Sequence, residues 1–144
     1  MTTRYARAGR SAKAAQAVPV VEAMHHGVVS CAGDASLATV ARLLAAHRIH
    51  AVVVDLDLGD WGLVSDLDLV GALATGSFAE ATAGQIATTA TIDVRPTDSV
   101  ARAAQLMREY DTHHTVVTEA GCPVGVVSTL DVADVLAELP GSNA

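Results

Sequence analysis

Residues 62–68 read Gly-Leu-Val-Ser-Asp-Leu-Asp, and residues 125–131 read Gly-Val-Val-Ser-Thr-Leu-Asp. Gly62, Ser65 and Asp68 thus fall on Gly125, Ser128 and Asp131. Outward from this pair, a shift of 63 positions lays the chain on itself without a gap. Ser36 lands on Ser99, Ala41 on Ala104, Leu43 on Leu106, His50 on His113, Val53-Val54 on Val116-Val117 and Leu73 on Leu136. A register held over this length marks an internal repeat, so the fold is that of one supersecondary unit used twice.

Each copy has the same order of signals. A short extended piece (Val28-Val29; Ile92-Asp93-Val94) precedes a helix. The helix stripes are Leu37, Val40, Ala41 and Leu44, and Val100, Ala103, Ala104 and Met107, at i, i+3, i+4, i+7 spacing. Asp34 and Thr97 are matched candidates for the N-caps. A β-branched run follows (Ala51 to Val54; Thr115 to Val117), then a Gly-containing turn and a second strand (Trp61 to Ser65; Val124 to Ser128), a hairpin signal. A second helix starts at Asp66 or Thr129 and runs through Leu73 or Leu136. The fold class is α/β (α+β): two β-α-β-β-α units, each too small to bury a core alone and so expected to pack together. The expected division is a flexible basic tail over 1–17, repeats over 18–74 and 83–139, a connector over 75–82, and a frayed end at Pro140 to Ala144.

Composition narrows the function. With 51% apolar and 17% charged residues, the 144-residue chain is globular rather than disordered. Sixteen acidic residues oppose nine basic ones, and Arg4, Arg7, Arg10 and Lys13 lie in the first thirteen positions. An acidic body does not provide the basic groove of a nucleic-acid binder, and four tail charges without aromatic interleaving are a solvated tail. No apolar stretch reaches the roughly 18 residues of a membrane span. Cys31 and Cys122 form no metal or redox motif and read as thiols of a reducing cytoplasm.

The repeat resembles a known family. Two β-α-β-β-α units in register, each with Gly-x-x-Ser-x-x-Asp at its second strand-to-helix junction, look like a tandem CBS-domain pair (a Bateman module) over about residues 20 to 137. One departure is Val52-Val53 and Thr115-Val116, where many members carry a proline. The resemblance implies two repeats packed through their sheets with pseudo-twofold symmetry. It further implies clefts between them that hold AMP, ADP, ATP, NAD or S-adenosylmethionine, regulation of a partner protein in trans, and a flat homodimer. It requires no cofactor, and no enzyme activity is expected.

The chemistry of the junction fits such a ligand. Ser65 and Ser128 stand where helix N–H groups and the positive end of the helix dipole collect, a place that suits an anion or ribose oxygen. Asp68 and Asp131 follow one turn later; an ionised carboxylate only accepts hydrogen bonds and suits two ribose hydroxyls. Gly62 and Gly125 leave room for a flat base. In the family, the position of His50 and of His113-His114 often carries a basic residue facing a phosphate. The copies differ: Asp66 adds a negative charge beside Ser65, whereas Thr129 holds the matching place beside Ser128. The second copy is therefore the expected principal site, with Ser128, Thr129, Asp131, His113, His114, Ile92 and Val94, and Arg95 within reach. Ser65, Asp68 and His50 are the first-copy counterparts. Charged imidazoles near a phosphate would strengthen binding below about pH 6.5.

Other readings fail on the residues. Adjacent histidines on a strand face opposite ways, so His25-His26 and His113-His114 do not form a metal site. Val54-Asp55-Leu56-Asp57 imitates a phosphatase nucleophile motif, but no lysine follows Lys13. The same segment misplaces the glycine and closing glutamate of a calcium loop. A ligand-free dimerisation module is the competing reading: helix faces at Leu69, Val70 and Leu73, and at Val132, Val135 and Leu136, would pack against a second molecule.

Overall fold

The computed structural model describes residues 11–139. In chain order the elements are α1 (Ala12–Gln16), α2 (Val20–Ala23), β1 (His25–His26), β2 (Ser30–Ala32), α3 (Leu37–His47), β3 (Ala51–Asp55), β4 (Trp61–Ser65), α4 (Asp66–Thr75), α5 (Ala83–Ile86), β5 (Asp93–Val94), α6 (Val100–Glu109), β6 (His114–Glu119), β7 (Cys122–Ser128) and α7 (Thr129–Leu136). Two compact units result. One is Gly27–Thr91; the other joins the residues up to His26 with those from Ile92 onward.

The Gly27–Thr91 unit is the β-α-β-β-α unit of the first copy. Its sheet has the order β2-β3-β4, with β2 parallel to β3 and β3 antiparallel to β4. Val40, Leu44, Val52, Val54, Val64 and Ala83 form its buried core. The other unit repeats this with the order β1-β7-β6-β5, β5 parallel to β6 and β6 antiparallel to β7. Its core holds Val20, Met24, Val94, Ala103, Leu106, Met107, Val117 and Val127. The β6–β7 hairpin closes on Ala120 and Gly121, both at positive φ (50° and 77°), as a two-residue turn matching strand twist requires.

Several local expectations shift. The helices α3 and α6 are capped by Ser36 and Ser99, two positions beyond Asp34 and Thr97, because these hydroxyls accept from Thr39 N–H and Arg102 N–H. Asp98 instead receives Arg95 N–H in the preceding turn. The first strand of copy one lies at Ser30–Ala32 rather than Val28-Val29. On α6, Leu106 is buried while Ala104 is only half-buried. Residues 12–16 of the expected tail form a helix capped by Ser11, and Ala15 is buried with Val18, Val100 and Val135. The remainder of that tail, residues 1–10, and the expected frayed end lie outside the described residues. Of the proposed docking faces, Val135 is buried, and Leu69 and Val132 pack against the cores. The exposed stripes are Leu67, Val70 and Leu73 on α4, and Leu130 and Leu136 on α7.

The least predictable feature is the use of each copy's leading segment. Residues 20–26 precede the first copy, yet β1 pairs antiparallel with β7, His25 opposite Val126. Shifted by 63, the same pairing recurs: Thr88 bridges Leu63, with hydrogen bonds of 2.9 and 2.8 Å. Gly125 and Gly62 make this possible. A Cβ at Gly125 would stand 2.7 Å from the His25 carbonyl, and one at Gly62 2.9 Å from that of Thr88. The glycines thus make room for the chain's own backbone, not for a flat base.

Repetition also exposes a local misfit. Thr115 is fully buried with no hydrogen-bond partner for its hydroxyl among the described residues, whereas its counterpart Val52 fills a core position. Thr115→Val is expected to raise stability by about 1 kcal/mol, since a buried unsatisfied hydroxyl forfeits its hydration. An unchanged or lowered denaturation midpoint would count against this.

Candidate functional site

The two Ser-x-x-Asp junctions are reciprocal capping boxes. Ser65 Oγ accepts from Asp68 N–H at 3.2 Å, and Asp68 Oδ2 accepts from Ser65 N–H at 2.8 Å. At Ser128 the same pair of bonds measures 3.3 and 2.8 Å, and Ser128 Oγ also donates to Asp131 Oδ2 at 3.1 Å. Each box satisfies donors that a helix start otherwise leaves open. The aspartates are therefore not free acceptors: one oxygen of each is turned back on its own serine.

The copies then diverge. Asp68 is half-buried, whereas Asp131 is 5% exposed. The second oxygen of Asp131, Oδ1, lies 3.3 Å from His25 Nε2, and that imidazole is 58% exposed. The corresponding position in copy one is Thr88. Sequence reading missed His25 as a site residue; aligning residues 20–26 with 83–89 would have placed it against the second junction.

At the other side of the junction, Asp66 N–H donates to the His50 carbonyl and Thr129 N–H to the His113 carbonyl, both at 2.9 Å. This backbone bond holds each histidine beside the first residue of its helix. In copy one the side chains meet, His50 Nδ1 within hydrogen-bond distance of Asp66 Oδ2 at 2.8 Å. In copy two Thr129 puts no carboxylate at the place of Asp66. His113 and Thr129 line a cavity of about 500 Å³ together with Ala104, Met107, Arg108, Asp111, Thr112 and Val132, so one acidic and one basic side chain share its wall.

The predicted set therefore does not form one pocket within this unit. His113 and Thr129 share the cavity beside α6. Ser128 and Asp131 share a cluster with His25. His114 is half-buried opposite Ser128 in the β6–β7 ladder. Val94 is 3% exposed and its side chain belongs to the core, so it offers none to a ligand, whereas Ile92 packs against that core and is only half-buried. Arg95 lies beside the β6–β7 turn with Thr118 and Glu119, and Arg108 takes the place expected of it near His113.

Cys31 is half-buried; burial, and then the Asp55 carboxylate, push its thiol up, so it stays protonated and unreactive at neutral pH. Among the described residues no three His, Cys, Asp or Glu side chains gather to hold a metal ion, and no helix is long and apolar enough to cross a membrane.

A sequence profile of the CBS domain matches residues 17–75 and 83–138. No curated protein matches the chain. Among solved structures, a CBS domain protein from Pyrobaculum aerophilum complexed with AMP is 29% identical, with a TM-score of 0.72 over 84% of this chain and 97% of that one. A CBS-domain containing protein from Agrobacterium tumefaciens is 25% identical, TM-score 0.75, covering 84% and 95%. The CBS domain pair of protein MJ0100, in complex with 5-methylthioadenosine and S-adenosyl-L-methionine, is 21% identical, TM-score 0.74, covering 83% and 99%.

Proposed function

We propose that this chain, which belongs to the CBS-domain family, is a regulatory module that binds an adenosine-containing nucleotide and acts in trans on a partner protein. The observation that carries the reading is the AMP complex of the 29% identical Pyrobaculum protein. The ligand class is AMP, ADP, ATP, NAD or S-adenosylmethionine, and the role is binding without a reaction. The second copy is the principal site. Its ligand spans the start of α7, from the Asp131 cluster, which takes the ribose hydroxyls, to the cavity of His113 and Thr129, which takes the anionic end, with His114 on the strand between them. Ser65, Asp68 and His50 form the weaker first-copy counterpart, where Asp66 already engages the imidazole.

Thermal unfolding against AMP, ADP, ATP, NADH and S-adenosylmethionine tests this. A ligand at 100 times its Kd is expected to add about 2.7 kcal/mol, a rise of several degrees. Asp131→Asn should reduce the shift, and His113→Ala should weaken phosphate-bearing ligands more than adenosine. No shift at millimolar concentrations, with protein stripped of co-purified nucleotide, would overturn the reading.

A second reading, a ligand-free module that joins two copies, is favoured by the exposed stripes on α4 and α7 recurring in the same register, Leu67 and Leu73 over Leu130 and Leu136. Homodimerisation through these stripes is part of both readings, and ligand-induced stabilisation separates them.

A further inference from the structure

We infer that His25 guards the ribose side of the second site, so that a nucleoside binds Asp131 only by displacing the imidazole. The inference rests on the nucleotide reading and adds to it a residue that sets affinity and favours ligands with free ribose hydroxyls. Asp131 is 5% exposed and its Oδ2 is held by Ser128 through both N–H and Oγ–H. Only Oδ1 remains for a ligand, and His25 Nε2 stands 3.3 Å from it. An imidazole can face a carboxylate with a proton on Nε2 both when charged and in the matching neutral tautomer, the charged pair being the stronger.

The imidazole can leave without disturbing the fold. Its side chain is 58% exposed, and residue 25 is held by backbone pairing with Val126. The chain itself uses Thr88 at the equivalent position of the other unit, so a threonine is compatible with this backbone. A buried carboxylate can exchange its partner only for another donor, because leaving it unpaired is costly. The two hydroxyls of a ribose supply that donor; a sugar without them does not.

Calorimetric titration of the whole chain with adenosine and with 2′,3′-dideoxyadenosine tests this, comparing wild type, His25→Thr and Asp131→Asn. His25→Thr is expected to tighten adenosine by about fivefold, the weight of one modest polar contact, and to leave dideoxyadenosine unchanged. Asp131→Asn should remove the discrimination between the two nucleosides. An equal gain for both ligands, or weaker adenosine binding by His25→Thr, would overturn the guard while leaving the nucleotide reading intact. Adenosine that binds none of the three proteins at millimolar concentration would overturn both.

Discussion

Gly125→Ala is expected to cost about 3 kcal/mol of stability, and Gly71→Ala to add about 1 kcal/mol, although both replace a glycine by the smallest chiral residue. The opposite signs follow from what a Cβ would meet. At Gly125 it would stand 2.6 Å from Met24 Sδ and 2.7 Å from the His25 carbonyl oxygen. The methionine can swing aside, but the carbonyl belongs to β1 and moves only if β1 lifts from β7, giving up its pairing and the burial of Met24 in the core. At Gly71, within α4, a Cβ meets nothing within 4 Å, so the change only removes backbone freedom from the unfolded chain. Gly62→Ala should fall between them. Its clash with Thr88 is of the same kind, but a single bridge is at stake rather than a two-residue strand. Denaturant midpoints at unchanged m-value measure all three. A Gly125→Ala protein within about 0.5 kcal/mol of wild type would show that this crossing carries no stability.

The comparison of Gly62 with Gly125 also shows where sequence reading stops. The repeat, the order of elements and the junction serines and aspartates were legible because they depend on local periodicity and a fixed register. The reach of residues 20–26 to β7 was not. β1 is two residues long, too short for a periodic signal, and its partner lies about a hundred positions away. The same limit moved the N-caps: Asp34 and Ser36 are both competent caps, and the start of α3 is decided by which oxygen reaches Thr39 N–H. At the site, residue types were read correctly as acceptors and donors. Their local competition for one another was not visible. A serine and an aspartate three apart at a helix start satisfy each other first, and Val94, which lay on the expected strand, spends its side chain on the core. The charge difference between copies needed only Asp66 and Thr129 to be seen. Its consequence, a carboxylate in contact with His50 and a hydroxyl-bearing Thr129 beside His113, needed the backbone bond that sets each histidine beside that residue.

Asp131→Ala is expected to destabilise the protein by about 2–3 kcal/mol, against about 1 kcal/mol for Asp68→Ala, with no ligand present. Both substitutions remove the reciprocal half of a capping box. They differ in what is left behind. Ser65 and Ser128 are both buried, but Asp68 itself is half-buried, so water can enter the space its carboxylate leaves and reach Ser65 N–H. At Asp131, the N–H and hydroxyl of buried Ser128 lose their acceptor where water has little access, and His25 loses its partner. Removing the carboxylate also returns the cost of burying it, which keeps the expected loss below that of an unpaired buried charge. Asp131→Asn should lie closer to wild type, since its carboxamide oxygen can still accept from Ser128 N–H. In Asp131→Ala, adding His25→Thr should cost less than its separate effect predicts, because the contact it removes is already gone. Equal losses at Asp68 and Asp131 would mean that burial and His25 contribute nothing to the second junction. The larger loss at Asp131 has a direct consequence for function. A ligand shift that vanishes in Asp131→Ala can report a frayed α7 as readily as a lost ribose contact, whereas one that vanishes in Asp131→Asn, with α7 still capped, reports the carboxylate.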